Sequence, residues 1–82
     1  MKNEIKMPKL RPEMESGILC AWLKEPGEKF KKGEPIFEVE TEKVVSQIEA
    51  AEDGVITKLL AEEGDEINVG EVIAEIEIEK VD

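Results

Sequence analysis

The 82-residue chain contains no histidine, so the commonest general base and metal ligand is missing. Its only serines are Ser16 and Ser46, and neither sits in a G-x-S-x-G setting. No cluster of glycines forms a phosphate-binding loop. Carboxylates are abundant, but they alternate along presumptive strands or sit in turns, as a solvated face requires. These absences argue against an independent enzyme. A single cysteine, Cys20, cannot form an internal disulfide, which fits a reducing, cytoplasmic compartment. Its place in the apolar run "ILCAWL" points to a buried rather than a reactive thiol. That run is too short to span a bilayer, and "MKNEIKMPKL" has no hydrophobic signal segment.

Eleven basic residues face 21 acidic ones, for a net charge of −10. That balance excludes nucleic acid and anionic membrane surfaces as partners, since both need a positive face. The length fits one domain over residues 1–82 with a thin core, and 40% hydrophobic content is enough to fold it.

The chain is written twice. Shifted by 37, "GILCAWLKEPGEKFKKGEPIFEVETEK" (17–43) overlays "GVITKLLAEEGDEINVGEVIAEIEIEK" (54–80), with eleven identities in 27 ungapped positions. Each copy has an apolar strand (Ile18–Leu23; Val55–Leu60), a glycine turn, a short segment with a second glycine turn, and an alternating strand. In the last, Ala74, Ile76 and Ile78 face one side and glutamates the other. Their counterparts Phe37, Val39 and Thr41 are expected to face inward. Two copies are too few for a solenoid, so a pseudo-twofold all-β domain follows.

Helix propensity alone would allow a helix over "TEKVVSQIEAAE" (41–52). Alternation up to Lys43 and the β-rich "VV-x-x-I" that follows favour strand, turn and strand, although no Asn-Gly or Asp-Gly marks the turn. Extending the shift sets "VVSQIEAAEDG" (44–54) on "MPKLRPEMESG" (7–17), so the strand after Lys43 should correspond to the start of the chain. An N-terminal strand should then lie beside the C-terminal one. Lys43 should crown a hairpin, whereas its counterpart Lys80 is followed only by Val81 and Asp82. Trp22 is paired by the repeat with Leu59 and reads as a packing residue. Met7 and Met14 read as packing and loop residues, and "RPEMES" (11–16) could lie near the Lys43 turn.

In order along the chain, "MPKLRPEMESG", "WLKEPGE", "GEPIFEVETEK" and "EEGDEINVGEVI" resemble the lipoyl domains of 2-oxo acid dehydrogenase complexes, over about residues 5–79. The resemblance implies a flattened β-barrel, or sandwich, of two four-stranded antiparallel sheets related by a pseudo-twofold axis. It implies a non-catalytic carrier domain of a larger dihydrolipoamide acyltransferase subunit. In that family the lysine at a hairpin tip carries lipoic acid in amide linkage, and the matching residue is Lys43, flanked by Glu42 and Val44. The family usually reads Asp-Lys-Ala there, with a small residue where Arg11 stands. The implied partners are a lipoyl ligase or transferase, a thiamine-dependent 2-oxo acid decarboxylase, the acyltransferase core and dihydrolipoamide dehydrogenase. The isolated domain is expected to be monomeric. Two other readings belong beside this one: a biotinyl carrier of similar fold, whose lysine is usually flanked by methionines, and an unmodified β-barrel interaction module.

Overall fold

A computed structural model of the protein describes residues 2–79; Lys80, Val81 and Asp82, the expected far end of the repeat, lie outside them. Eight strands follow in order: β1 (Lys2–Lys6), β2 (Ser16–Trp22), β3 (Lys29–Phe30), β4 (Pro35–Thr41), β5 (Val44–Glu49), β6 (Gly54–Leu59), β7 (Glu66–Asn68) and β8 (Val72–Ile78). They form two antiparallel four-stranded sheets, β1-β8-β6-β3 and β5-β4-β2-β7. The body is flattened, with extents of 40 × 22 × 18 Å. No helix occurs among the described residues, and 44–49 is a strand.

One apolar cluster fills the space between the sheets. Leu19, Val39, Ile56 and Ile73 are fully buried in it, with Phe37 and Met7 at 1% exposure. No charged or polar side chain is buried among the described residues, so the core gains burial without an unpaired polar group to offset it. Ala74, Ile76 and Ile78 point inward as the alternation requires, and so do Phe37 and Val39; Thr41 is half-buried. Trp22 closes one rim. Its ring lies 5.4 Å from Phe37, and its indole N–H donates to the Ala61 carbonyl at 2.9 Å.

The shift of 37 holds down to the irregularities. Adjacent residues Ile36 and Phe37 are both buried, which a regular strand with one face on solvent cannot do, and the β4–β5 register slips between Pro35 and Phe37. The counterparts Ile73 and Ala74 are likewise both buried, and Ile73 is skipped in the β1–β8 register. Cys20 and Thr57, also 37 apart, are the skipped residues of β2 and β6. The bulge explains why Cys20 is half-exposed, not buried as its apolar neighbours suggest. Its thiol nevertheless ionises reluctantly, chiefly through desolvation and then through the carboxylates of Glu40 and Glu38.

The turns repeat too. At Glu25–Glu28 the Glu28 N–H donates to the Glu25 carbonyl, while the Glu28 carboxylate accepts from the Glu25 N–H. Gly27 sits at the third position with φ 90°, where a side chain would be strained. Residues 31–34, 62–65 and 68–71 form the same turn. Gly54 is needed for a different reason: a Cβ there would stand 2.5 Å from the Glu77 carbonyl oxygen.

The ungapped extension toward the N-terminus needs correction. β1 does lie beside β8, but Lys2 faces Glu77 as Val45 faces Glu40, an offset of 43. Hydrogen bonds fix the same equivalence. Met7 N–H donates to the Glu71 carbonyl as Ala50 N–H donates to that of Glu34. From Met7 to Gly17 is ten positions, but from Ala50 to Gly54 only four, so the first loop carries six extra residues. The extra length lies between Met7 and Ser16, and it is this loop that reaches the Lys43 turn.

Candidate functional site

β4 and β5 pair over six rungs, ending with Thr41 opposite Val44, so Glu42 and Lys43 alone make the turn. Their φ angles are +47° and +67°, and they are the only non-glycine residues of positive φ among those described. Two consecutive left-handed residues define a type I′ hairpin, whose twist matches that of paired strands. Asn-Gly is the usual occupant. A left-handed L-residue other than glycine costs roughly 1–2 kcal/mol, and strand pairing must hold the turn against it. The four scaffold turns avoid that cost with glycine; only this one does not.

Lys43 is exposed, and among the described residues its amine forms no ion pair. Val44 and Val45 follow at 58% and 54% exposure, unusual for valines on a strand. Glu42 is occupied by Arg11, whose Nη1 donates to Oε2 at 3.1 Å. Arg11 Nε lies 3.9 Å from Glu13. With Glu42 73% exposed, this pair contributes about 0.2–1 kcal/mol, but it ties the long first loop to the tip. The two positions at which the chain departs from the usual lipoyl-domain pattern are thus in contact.

The first loop is anchored beneath. Met14 is buried, its backbone N–H donates to the Arg11 carbonyl at 3.1 Å, and its sulfur accepts from Leu10 N–H. Arg11, Glu40, Thr41, Glu42 and Ile18 line a shallow groove of about 320 Å³ beside the turn. A second recess, about 240 Å³ and mainly apolar, lies between the β1 and β5 edges and involves Ile5, Phe37, Ile48 and Ile76. Neither assembles a nucleophile with a base, and no cluster of three metal-ligating side chains exists among the described residues. No helix of the described residues is long and apolar enough to cross a membrane.

The structure therefore brings Glu42, Lys43 and Val44 together at one tip and adds Arg11 to them. The Arg11–Glu42 contact joins residues 31 apart, beyond any local pattern. The turn can present the lysine to solvent and to another protein.

Known proteins resemble this chain in sequence and fold. The biotin–lipoyl family, described as "Biotin-requiring enzyme", matches residues 3–76. The lipoyl domain of the 2-oxoglutarate dehydrogenase complex from Azotobacter vinelandii superposes with a TM-score of 0.75 at 36% identity, covering 90% of this chain and 94% of that one. The pyruvate dehydrogenase E1 component subunit beta of Rhizobium meliloti (strain 1021) is 47% identical over 52 residues, 63% of this chain and 11% of that protein. The dihydrolipoyllysine-residue acetyltransferase component of the pyruvate dehydrogenase complex from the same organism is 44% identical over 52 residues, 63% of this chain and 12% of that protein. The chain thus spans about one-ninth to one-eighth of these curated relatives.

Proposed function

The chain belongs to the biotin–lipoyl family as a non-catalytic lipoyl-type carrier domain, and from that membership we propose that Lys43 is its attachment site, carrying lipoic acid in amide linkage. One observation carries the assignment. Lys43 stands at the apex of the sole left-handed non-glycine turn among the described residues, solvent-exposed and without an ion pair. A lysine there supplies a long flexible stem on a rigid base, and a strand-paired hairpin fixes that base.

The residues fit the group. Val44 and the Glu42 carboxylate held by Arg11 leave the amine unobstructed. Attachment joins Nζ to the lipoyl carboxyl carbon, breaks that carbon's bond to an activating leaving group, and takes two protons from the ammonium, one to free the attacking lone pair and one as the amide forms. No residue here supplies activation, so a ligase or transferase must. Once attached, the dithiolane would carry acyl groups and reducing equivalents, while the protein orients and tethers it. The relatives' names favour a place in a larger subunit of a 2-oxo acid dehydrogenase complex, with the dihydrolipoamide acyltransferase the preferred one. There the arm would serve a thiamine-dependent decarboxylase, the acyltransferase core and dihydrolipoamide dehydrogenase.

Intact mass after incubation with lipoyl ligase, lipoate and ATP tests the assignment. Wild-type protein gains one lipoyl group, and Lys43→Arg gains none. Gain by Lys43→Arg, or none by wild type, overturns it; a streptavidin-positive band after biotin ligase would move the chain to the biotinyl branch.

A further inference from the structure

The pseudo-twofold provides an internal control, because each outward residue of one sheet has a counterpart on the other. The strands of β1-β8-β6-β3 carry Lys2, Lys6, Lys29 and Lys58 against Glu4, Glu75 and Glu77. Those of β5-β4-β2-β7 carry Glu38, Glu40, Glu49 and Glu66 and no lysine or arginine. Equivalent rungs show where the cations went. Glu77 faces Lys2 on one side and Val55 on the other. Its counterpart Glu40 faces Val45 and Ile18, which are 54% and 39% exposed. Glu75 faces Lys58, whereas Glu38 faces Ala21. At both rungs a lysine has been exchanged for an apolar residue.

A face that serves only solubility mixes both signs and exposes little apolar surface, as the first sheet does. The second places a carboxylate between two exposed apolar side chains, and the one cation lining the groove beside it, Arg11, is engaged by Glu42; this is the make-up of an interface whose further cations come from a partner. The Glu40–Val45 rung is the second below Lys43, about 7 Å from the tip at 3.3–3.4 Å per residue. A protein that encloses Lys43 from this side covers it.

We propose that the outer face of β5-β4-β2-β7, centred on Glu40, Val45 and Ile18, docks the enzyme that acylates Lys43, through a surface bearing lysine or arginine between apolar side chains. The proposal rests on Lys43 being the attachment site.

The test is steady-state lipoylation of Val45→Lys, Ile18→Lys and Glu40→Gln, with Lys2→Val on the opposite sheet as control and thermal melts to verify folding. Each Lys variant is expected to raise KM about tenfold or more with little change in kcat, because it sets like charge against the partner. Glu40→Gln should raise KM less and flatten its dependence on salt; Lys2→Val should stay within about twofold of wild type. Ile18→Lys matters most, since it lies a strand away from the hairpin. If it leaves KM within about twofold while folded, the docking face is wrong, even when Val45→Lys is impaired. Failure of wild type to be modified would instead strike at the attachment site.

Discussion

The two halves share most of their inward-facing positions and differ in the charge of their outer faces. Bulges, glycine turns and buried positions recur at a spacing of 37 residues, whereas the lysines of one outer face have no counterpart on the other. Packing fixes which positions must stay apolar, though not their individual size: buried Phe37 answers to Ala74. Outer faces bear no such constraint and can diverge toward binding. The difference locates function without reference to any other protein.

The largest effects should test the agreement. Leu19 and Ile56 are counterparts, both fully buried. Truncating either to alanine should cost about 2–5 kcal/mol in denaturant unfolding, with the two losses similar. A large inequality would show that one half nucleates the core and the other leans on it. A smaller effect, of opposite sign, belongs to the tip. Lys43→Gly removes a left-handed side chain at some cost in chain entropy and should stabilise by about 0.5–1 kcal/mol, as read from thermal melts. A loss of stability would mean that the turn is not strained.

The smallest test compares one turn in its two copies. The Glu34 and Glu71 carboxylates accept from the N–H groups of Lys31 and Asn68, at 2.6 and 3.2 Å. Only Glu34 also has a lysine, Lys24, at 3.5 Å. The Lys31 N–H, followed by the Lys24 charge, holds the Glu34 carboxyl below its usual range. Because the folded state favours the ionised form, Glu34 adds stability above the ordinary carboxylate range and loses it as pH falls through its depressed value. Glu34→Gln should therefore flatten the acid limb of the stability profile below about pH 4.5. An unchanged limb would remove the pair from the account.

Much of this was legible in the chain. The repeat predicts the long strands, the four glycine turns and the inward set Ala74, Ile76 and Ile78, and it sets Lys43 at a hairpin. The first loop escaped because β1, "KNEIK", offers one apolar residue, half-buried Ile5, and so no pattern to register. Cys20 misled because a bulge changes which face a residue meets, and a bulge is set by pairing between strands. The meeting of Arg11 with Glu42 depends on a loop whose extra length shows only against the folded second half.

The left-handed pair at the tip has a last consequence. Without its paired strands, Glu42-Lys43 would spend little time in that conformation. Its shape depends on the pairing of β4 with β5. A catalyst that reads the turn tests whether that hairpin has formed, and labelling of Lys43 would report on strand pairing six rungs deep.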